Sequence, residues 1–433
     1  MAQGSPASDF ETKFLQSALQ RRRAVGSIRS LSKENNEEVT TSPQKQQIDF
    51  SSNDYLGLSH SSAQHALVEK AYAQLSQQQQ LLGATGSRLL TGDSSYAHQL
   101  EHKLATLHKR PSALLCNSGY DANLAVLSSL AQYGTFVLDE LCHNSLFVGV
   151  KLGGQTSKPI TFRHNDLVDL KRILQQSSAQ SVPTIIVVES VYSMDGDIAP
   201  LQEILDLARY FNCVVVVDEA HGLGILGSSG MGLLEELQIE HHPSLLCSIH
   251  TFGKAAGCHG AVVCGSKTLR EYLINYARPV IYSTFLPLHS LVCISCAYDT
   301  MSNETVGVQL RKHCFEIVRY FRTELNKVLD QQTNKKSSTR VRLADSATPI
   351  QALLIPGNQN CSNFCKVLWK ASNYTIKLYP IRSPTVPKGQ ERVRIVLHSH
   401  NSFAQVDELI RLIRIVLESQ NSGDGRIELR SKL

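Results

Sequence analysis

Between residues 112 and 290 short apolar runs alternate with helical patterns, and this alternation constrains the fold more than any other feature. The runs are SALLCNSG, GTFVLDE, KPITFRH, PTIIVVES, CVVVVDEAH, LLCSIHTFG and AVVCGS. Several are apolar throughout, with no polar face, as strands covered on both sides must be. Between many of them lie YDANLAVLSSLAQ, DLVDLKRILQQ and LQEILDLARYF, whose apolar residues recur at helical spacing. Strand–helix alternation predicts an α/β fold with a mostly parallel central sheet and helices on both faces. In such sheets ligands bind beyond the carboxyl ends of the strands, so polar residues there are the first candidates for chemistry.

The flanking segments divide the chain further. Residues 1–49 form an N-terminal segment, with an amphipathic helix predicted over 10–24 that ends in Arg21, Arg22 and Arg23. Residues 27–47 are polar and read as a surface loop or hairpin. The large domain is expected over 50–290, with a helical pattern at 62–80 that runs into the glutamine cluster QLSQQQQ. Residues 291–420 read as a smaller C-terminal domain: a long helix or helix pair to 330, then an α+β pattern over 342–418. Residues 421–433 are a polar tail. Composition narrows the function classes. With 42% hydrophobic and 19% charged residues, a wholly disordered chain is excluded. A net charge of +5, spread along the chain, is too weak to argue for nucleic acid. No apolar run approaches the ~18 residues a membrane span needs, and MAQGSPASDFETKF lacks the pattern of a secretory signal. The eleven cysteines are then expected to be free thiols.

Four segments carry candidate chemistry. In CVVVVDEAHG, Asp218 ends an apolar strand and His221 follows three residues later. Asp218 could cap the next turn, belong to a DEAH-type motor, or face a cationic ring nitrogen. The motor reading fails because no Walker A loop exists; Lys254 is followed by Ala255, and Ser248 stands where the first glycine should be. In HTFGKAAG, Lys254 sits in a glycine-containing turn just after a strand. It is either a surface lysine or one with a depressed pKa, able to form a Schiff base. A Schiff-base lysine with a carboxylate for a pyridinium nitrogen is the arrangement pyridoxal phosphate requires. CNSGYDANLAVLSSL places Gly119 at the start of a helix, where backbone N–H groups can hold a phosphate or simply be capped. GATGSRLLTG (83–92) is a second glycine-rich loop. His143 follows a strand and matters only if it meets these groups. A metal has little support: Cys293 and Cys296 form a C-x-x-C without a second pair, and Cys247, His250, Cys258 and His259 fit no zinc module.

Taken in order, SSNDYLGLSH, GSRLLTG, NSGYDANLAV, ESVYSMDGDIAPL, VDEAHGLGILG, TFGK and ERVRIVL resemble the α-oxoamine synthases, fold-type I pyridoxal-phosphate enzymes, from about residue 10 to about 418. VIYSTFLP (280–287), RHND (163–166) and IRSPTVPKG (381–389) resemble the biotin-pathway member more than its glycine-using relatives. The resemblance implies condensation of an amino acid with an acyl thioester and loss of carbon dioxide, here L-alanine with a pimeloyl thioester. It also implies roles. Lys254 would be the Schiff-base lysine and Asp218 the partner of the ring nitrogen. His221 and Ser193 would contact the ring and its phenolic oxygen, and His143 its face. Gly119, Tyr120 and Thr251 would hold the phosphate. Arg394, with Arg392 as second choice, would grip the substrate carboxylate, and Thr385 and Arg21 would touch substrate. A homodimer with a shared site is implied, in which Ser283 and Thr284 reach the partner's phosphate. Cys258-His259, after the lysine turn, departs from the family pattern. The alternatives are a glycine- or serine-using relative and a catalytically silent subunit; the latter typically lacks the lysine that is present here. The terminal Ser431-Lys432-Leu433 reads as a peroxisomal address for an import receptor.

Overall fold

A computed structural model describes residues 10–24, 47–76, 82–154, 159–177, 182–333 and 341–421, besides two isolated positions. Most of the 27–47 segment, the glutamines at 77–80 and the terminal tripeptide 431–433 lie outside the described residues.

The apolar runs form one seven-stranded sheet: β1 (Ser112–Cys116), β2 (Thr135–Asp139), β3 (Ile160–Phe162), β4 (Thr184–Glu189), β5 (Val214–Asp218), β6 (Leu245–Thr251) and β7 (Ala261–Gly265). Their order is β1-β7-β6-β5-β4-β2-β3. Strands β6, β5, β4, β2 and β3 pair in parallel, whereas β7 runs antiparallel to both neighbours. β4 is buried at every position and β5 at all but its first, which explains their unbroken apolar sequences. The parallel register aligns Glu189 with Asp218, so two carboxylates finish adjacent strands at one edge of the sheet. Because β7 is antiparallel, a short connection suffices after β6. That connection carries Lys254 back over the same edge. It is closed by the Phe252 and Cys258 amides, which donate to the Gly260 and Phe252 carbonyls at 2.9 Å each.

A second, antiparallel sheet has the order β10-β11-β9-β8, with β8 (Arg342–Leu343), β9 (Ile350–Leu354), β10 (Tyr379–Ile381) and β11 (Arg392–Val396). Its core includes Ile317, Phe321, Phe364, Leu409 and Ile413 from three helices. The helical region after 290 is a pair, Leu288–Ser302 and Val306–Thr333. The first of these buries Leu291, Ile294 and Tyr298 in the large core, and Leu310 and Phe315 of the second pack against it as well. Phe50 belongs to the smaller core, and its carbonyl accepts from the Val396 amide of β11. Helix Ser17–Ala24 forms where expected but buries no residue. All eleven cysteines are free thiols, and no described helix is long and apolar enough to cross a membrane.

Helices Gly119–Leu130 and Asn144–Leu152 pack closely because Gly149 and Gly153 present no side chains to the first helix. A Cβ on Gly153 would lie 2.1 Å from the Ala131 Cβ and 2.7 Å from the Ser128 carbonyl oxygen. Neither is a flexible side-chain end, so the helices must separate. Gly153→Ala is expected to destabilise the fold by about 1–3 kcal/mol, measured by denaturant unfolding.

Candidate active site

The strand ends bring the chemistry together. Asp218 ends β5 and its side chain is fixed on both oxygens: Oδ1 accepts from the Ala220 amide at 2.9 Å and Oδ2 from Asn123 Nδ2 at 2.8 Å. Asn123 sits one helical turn beyond Gly119 and donates also to Ser145 Oγ at 2.9 Å. Ser145 Oγ lies 2.7 Å from His143 Nδ1, and the Ser145 amide donates to that nitrogen at 3.3 Å. Nδ1 is therefore the acceptor nitrogen of a neutral His143, whose proton resides on Nε2. One chain of polar contacts thus links the β5 carboxylate to His143. Burial lowers the His143 pKa against the pull of Asp218.

Lys254 lies half-buried among these groups. Burial lowers its pKa to about 8, with Asp218 and Glu189 opposing and Arg394 reinforcing the shift. Glu189, at the end of β4, is raised to about 8 by burial and by Asp218, and one of its oxygens accepts from the His143 amide. His221 is buried and held well below its ordinary pKa by desolvation and the nearby Lys254, Arg394 and His143. Its Nδ1 lies 2.6 Å from the Tyr55 hydroxyl. Burial raises Tyr55 to about 12 against the Arg394 charge.

The small domain supplies the cations. Arg392 and Arg394, two residues apart on β11, share one face of the strand. Arg392 is buried in an ion pair with Asp195 and donates to the Gln390 carbonyl. Arg394 donates from Nε to the Ser193 carbonyl at 2.8 Å and from Nη2 to Asn53 Oδ1 at 3.0 Å. Arg394, acting electrostatically on Lys254, His221 and Tyr55, is therefore the one placed to meet a substrate carboxylate.

The residues present fit pyridoxal phosphate. A Cβ on Gly119 would lie 2.1 Å from Thr251 Oγ1, so only glycine leaves room where the helix start meets β6. Ser118 caps that helix through the Asp121 amide, leaving the Gly119 and Tyr120 N–H groups for an anion. Thr251 adds a hydroxyl beside them, and Lys254 follows it by three residues. Asn117 Nδ2 donates to the Thr284 carbonyl at 2.7 Å, which sets the 283–284 segment next to this turn.

Two sequence-derived candidates lie at exposed positions. Arg21 lies on the exposed helix that buries nothing. Thr385 is exposed and lines a cleft of about 730 Å³ with His164, Asp195 and Arg392. The 86–92 loop folds onto itself, and Arg88 within it is engaged by Asp93 and Glu101. The structure groups His250 with His108 and Cys264 rather than with Cys247, Cys258 and His259. Cys258 has a structural part: its amide closes the lysine turn, and burial raises its thiol pKa. Four contributors lie within the quoted segments but are not singled out by the sequence reading. Glu189 ends an apolar strand just as Asp218 does, and that signal could have found it. Asn123 follows Gly119 by one helical turn. Asn53 and Tyr55, within SSNDYLGLSH, arrive from over 100 residues away, so their partners could not be read locally.

A family model described as aminotransferase class I and II matches residues 45–413. The chain belongs to the class I and II aminotransferase family. Within it, an 8-amino-7-oxononanoate synthase of Emericella nidulans is 38% identical over 395 residues, covering 88% of this chain and 92% of that protein. The solved 8-amino-7-oxononanoate synthase of Francisella tularensis superposes with a TM-score of 0.68 at 26% identity, over 86% of this chain and 98% of that one. A high-resolution structure titled as SPT with PLP shares the fold, with a TM-score of 0.77 at 22% identity over 96% and 99% of the two chains.

The depressed pKa of Lys254 is directly accessible. In cofactor-free protein, acylation of Lys254 followed by mass spectrometry is expected to rise with pH through a midpoint near 8. Below that value the ammonium is unreactive; above it the amine is free. A midpoint near that of the other lysines would contradict the buried placement.

Proposed function

We propose that the chain catalyses the decarboxylative condensation of L-alanine with a pimeloyl thioester, giving 8-amino-7-oxononanoate, carbon dioxide and the free thiol, a step of biotin biosynthesis. The observation that carries this reading is the convergence of Lys254, Asp218 and Arg394 at one sheet edge, in a chain 38% identical to a named 8-amino-7-oxononanoate synthase.

Pyridoxal phosphate, when bound, supplies an aldehyde that captures the amine and a pyridinium that accepts carbanion electrons. The chain's own residues do the rest. Gly119, Tyr120 and Thr251 would hold the phosphate, and Ser193, His221 and His143 would contact the ring. Asp218, oriented by Asn123 and Ala220, would keep a proton on the ring nitrogen. Arg394 binds the alanine carboxylate and orients the bond to be broken. Lys254 Nζ would take the α-proton as general base; a pKa near 8 suits that task close to neutral pH. The α-carbon then bonds to the thioester carbonyl carbon and the thiol leaves. Loss of carbon dioxide breaks the bond to the old carboxylate, and a proton returned to the α-carbon completes the amino ketone.

Two further readings belong with this proposal. A homodimer, with Ser283 and Thr284 reaching the partner's phosphate site, follows from the family resemblance; within the chain their segment is held by Asn117. A free Ser431-Lys432-Leu433 terminus would direct the enzyme to peroxisomes, where fatty-acid oxidation could supply the acyl-CoA. The test of location is an N-terminally tagged chain with and without those three residues. Punctate localisation that depends on them is expected; identical diffuse patterns would exclude it.

A matrix of amino acids and acyl thioesters tests the substrate assignment. Alanine with pimeloyl-CoA is expected to turn over fastest, and faster turnover of glycine with acetyl- or succinyl-CoA would refute it. Asp218→Asn preserves shape but removes the charge. It is expected to retain cofactor and lose at least ~100-fold in activity, about 2.7 kcal/mol of transition-state stabilisation.

A further inference from the structure

The RHND segment, 163–166, takes no part in the chemistry above, yet the structure ties it to both sides of the site. His164 is half-buried between two carboxylates. Its Nδ1 lies 2.9 Å from Asp139 Oδ1 and its Nε2 lies 2.6 Å from Asp197 Oδ2. A neutral imidazole has only one N–H, so donating to two carboxylates requires the imidazolium. Burial alone would lower its pKa, but the two carboxylates overcome it and raise the value to about 10. Asn165 repeats both contacts: its amide donates to Asp139 Oδ2 and its Nδ2 to Asp197 Oδ2, each at 2.8 Å. The Tyr192 ring stands edge-on to His164 at 4.4 Å.

Each carboxylate belongs to a different part of the site. Asp139 is fully buried at the end of β2, and its Oδ1 also accepts from the Leu141 amide, opening the turn that leads to His143. Asp197 closes the 190–198 loop: its carbonyl accepts from the Tyr192 amide at 3.0 Å, and Val191 bridges Ile198. That loop offers the Ser193 carbonyl to Arg394 and the Asp195 carboxylate to Arg392. From the other side, Ser346 and Thr348 of the small domain donate to the Gly196 carbonyl at 2.9 and 2.8 Å.

We propose that His164 is a positioning residue, an imidazolium clasp that locks the turn bearing His143 to the loop bearing Ser193 and thereby holds Arg394 ready for the substrate carboxylate. Asp139 is buried in the sheet edge and cannot move to water, whereas Asp197 lies on a loop and can. Loss of the clasp therefore releases the 190–198 loop, and with it the cofactor contact of Ser193 and the aim of Arg394. The acyl thioester does not depend on that aim. The inference deepens the proposed function and rests on it for the identity of the amino acid.

The test compares holoenzyme of the parent, His164→Gln and Arg163→Ala, the last altering an exposed neighbour outside the clasp. Three quantities are read: retention of pyridoxal phosphate on dilution, alanine affinity from the absorbance change on titration without thioester, and the thioester KM. His164→Gln is expected to lose cofactor faster and to bind alanine roughly tenfold more weakly, the scale of one charge-assisted hydrogen bond, with the thioester KM within about twofold. Arg163→Ala should match the parent. Should His164→Gln fail to accumulate as folded protein, Asp197→Asn, which leaves the Asp139 contact intact, decides by the same readings. Parent-like cofactor retention and alanine affinity in the clasp variant would overturn the proposal, even with a lowered melting temperature. Equal losses in Arg163→Ala, or an equal loss of thioester binding, would overturn it as well. Cofactor retention does not involve alanine, so it decides the clasp even where the alanine assignment fails.

Discussion

A lysine amine held out of water between carboxylates is the constraint on which the rest of the structure turns. Desolvation makes the Lys254 ammonium costly, and Asp218 and Glu189 offset only part of that cost, leaving the group poised near pH 8. Such a cluster is stable only if each member is held by other bonds. The parallel sheet provides this. Two all-apolar strands, buried on both faces, end together and leave their terminal carboxylates side by side, with the backbone of the next turns as hydrogen-bond partners. The antiparallel β7 then returns the chain across the same edge and brings the lysine with it.

The small domain completes the site rather than merely covering it. β11 delivers two arginines to the edge of the large sheet, and the 190–198 loop divides them: Asp195 neutralises Arg392, while Ser193 offers Arg394 only a carbonyl. The positive charge of Arg394 is therefore not cancelled by a carboxylate, which suits the proposed role of receiving one from the substrate. Phe50 buries its ring in the small core while Tyr55, five residues on, reaches His221 beneath the large sheet's edge. This short stretch couples the two cores to the same histidine.

Much of this was legible in the sequence because burial leaves a mark there. The strands at 184–189 and 214–218 are unbroken in β-branched residues, and a carboxylate closing such a run stands out; Asp218 was found that way. Lys254 and Gly119 were marked by their turns. Arg394 was favoured over Arg392 only by resemblance, and the physical reason, the Asp195 ion pair, depends on a contact spanning 197 positions. The contacts of Asn53 and Tyr55, though both lie in the quoted SSNDYLGLSH, escape a sequence reading for the same reason. Arg21 and Thr385 come from resemblance alone, and the structure leaves both at exposed positions. Helix Leu288–Ser302 has an apolar pattern that fits either core, and only packing places Leu291, Ile294 and Tyr298 in the large one.

The most direct measurement is borohydride reduction of the holoenzyme followed by peptide mapping. The account requires the reduced cofactor on the peptide containing Lys254, with loss of the protein's visible absorbance. Cofactor fixed to any other lysine, or none fixed at all, would contradict it.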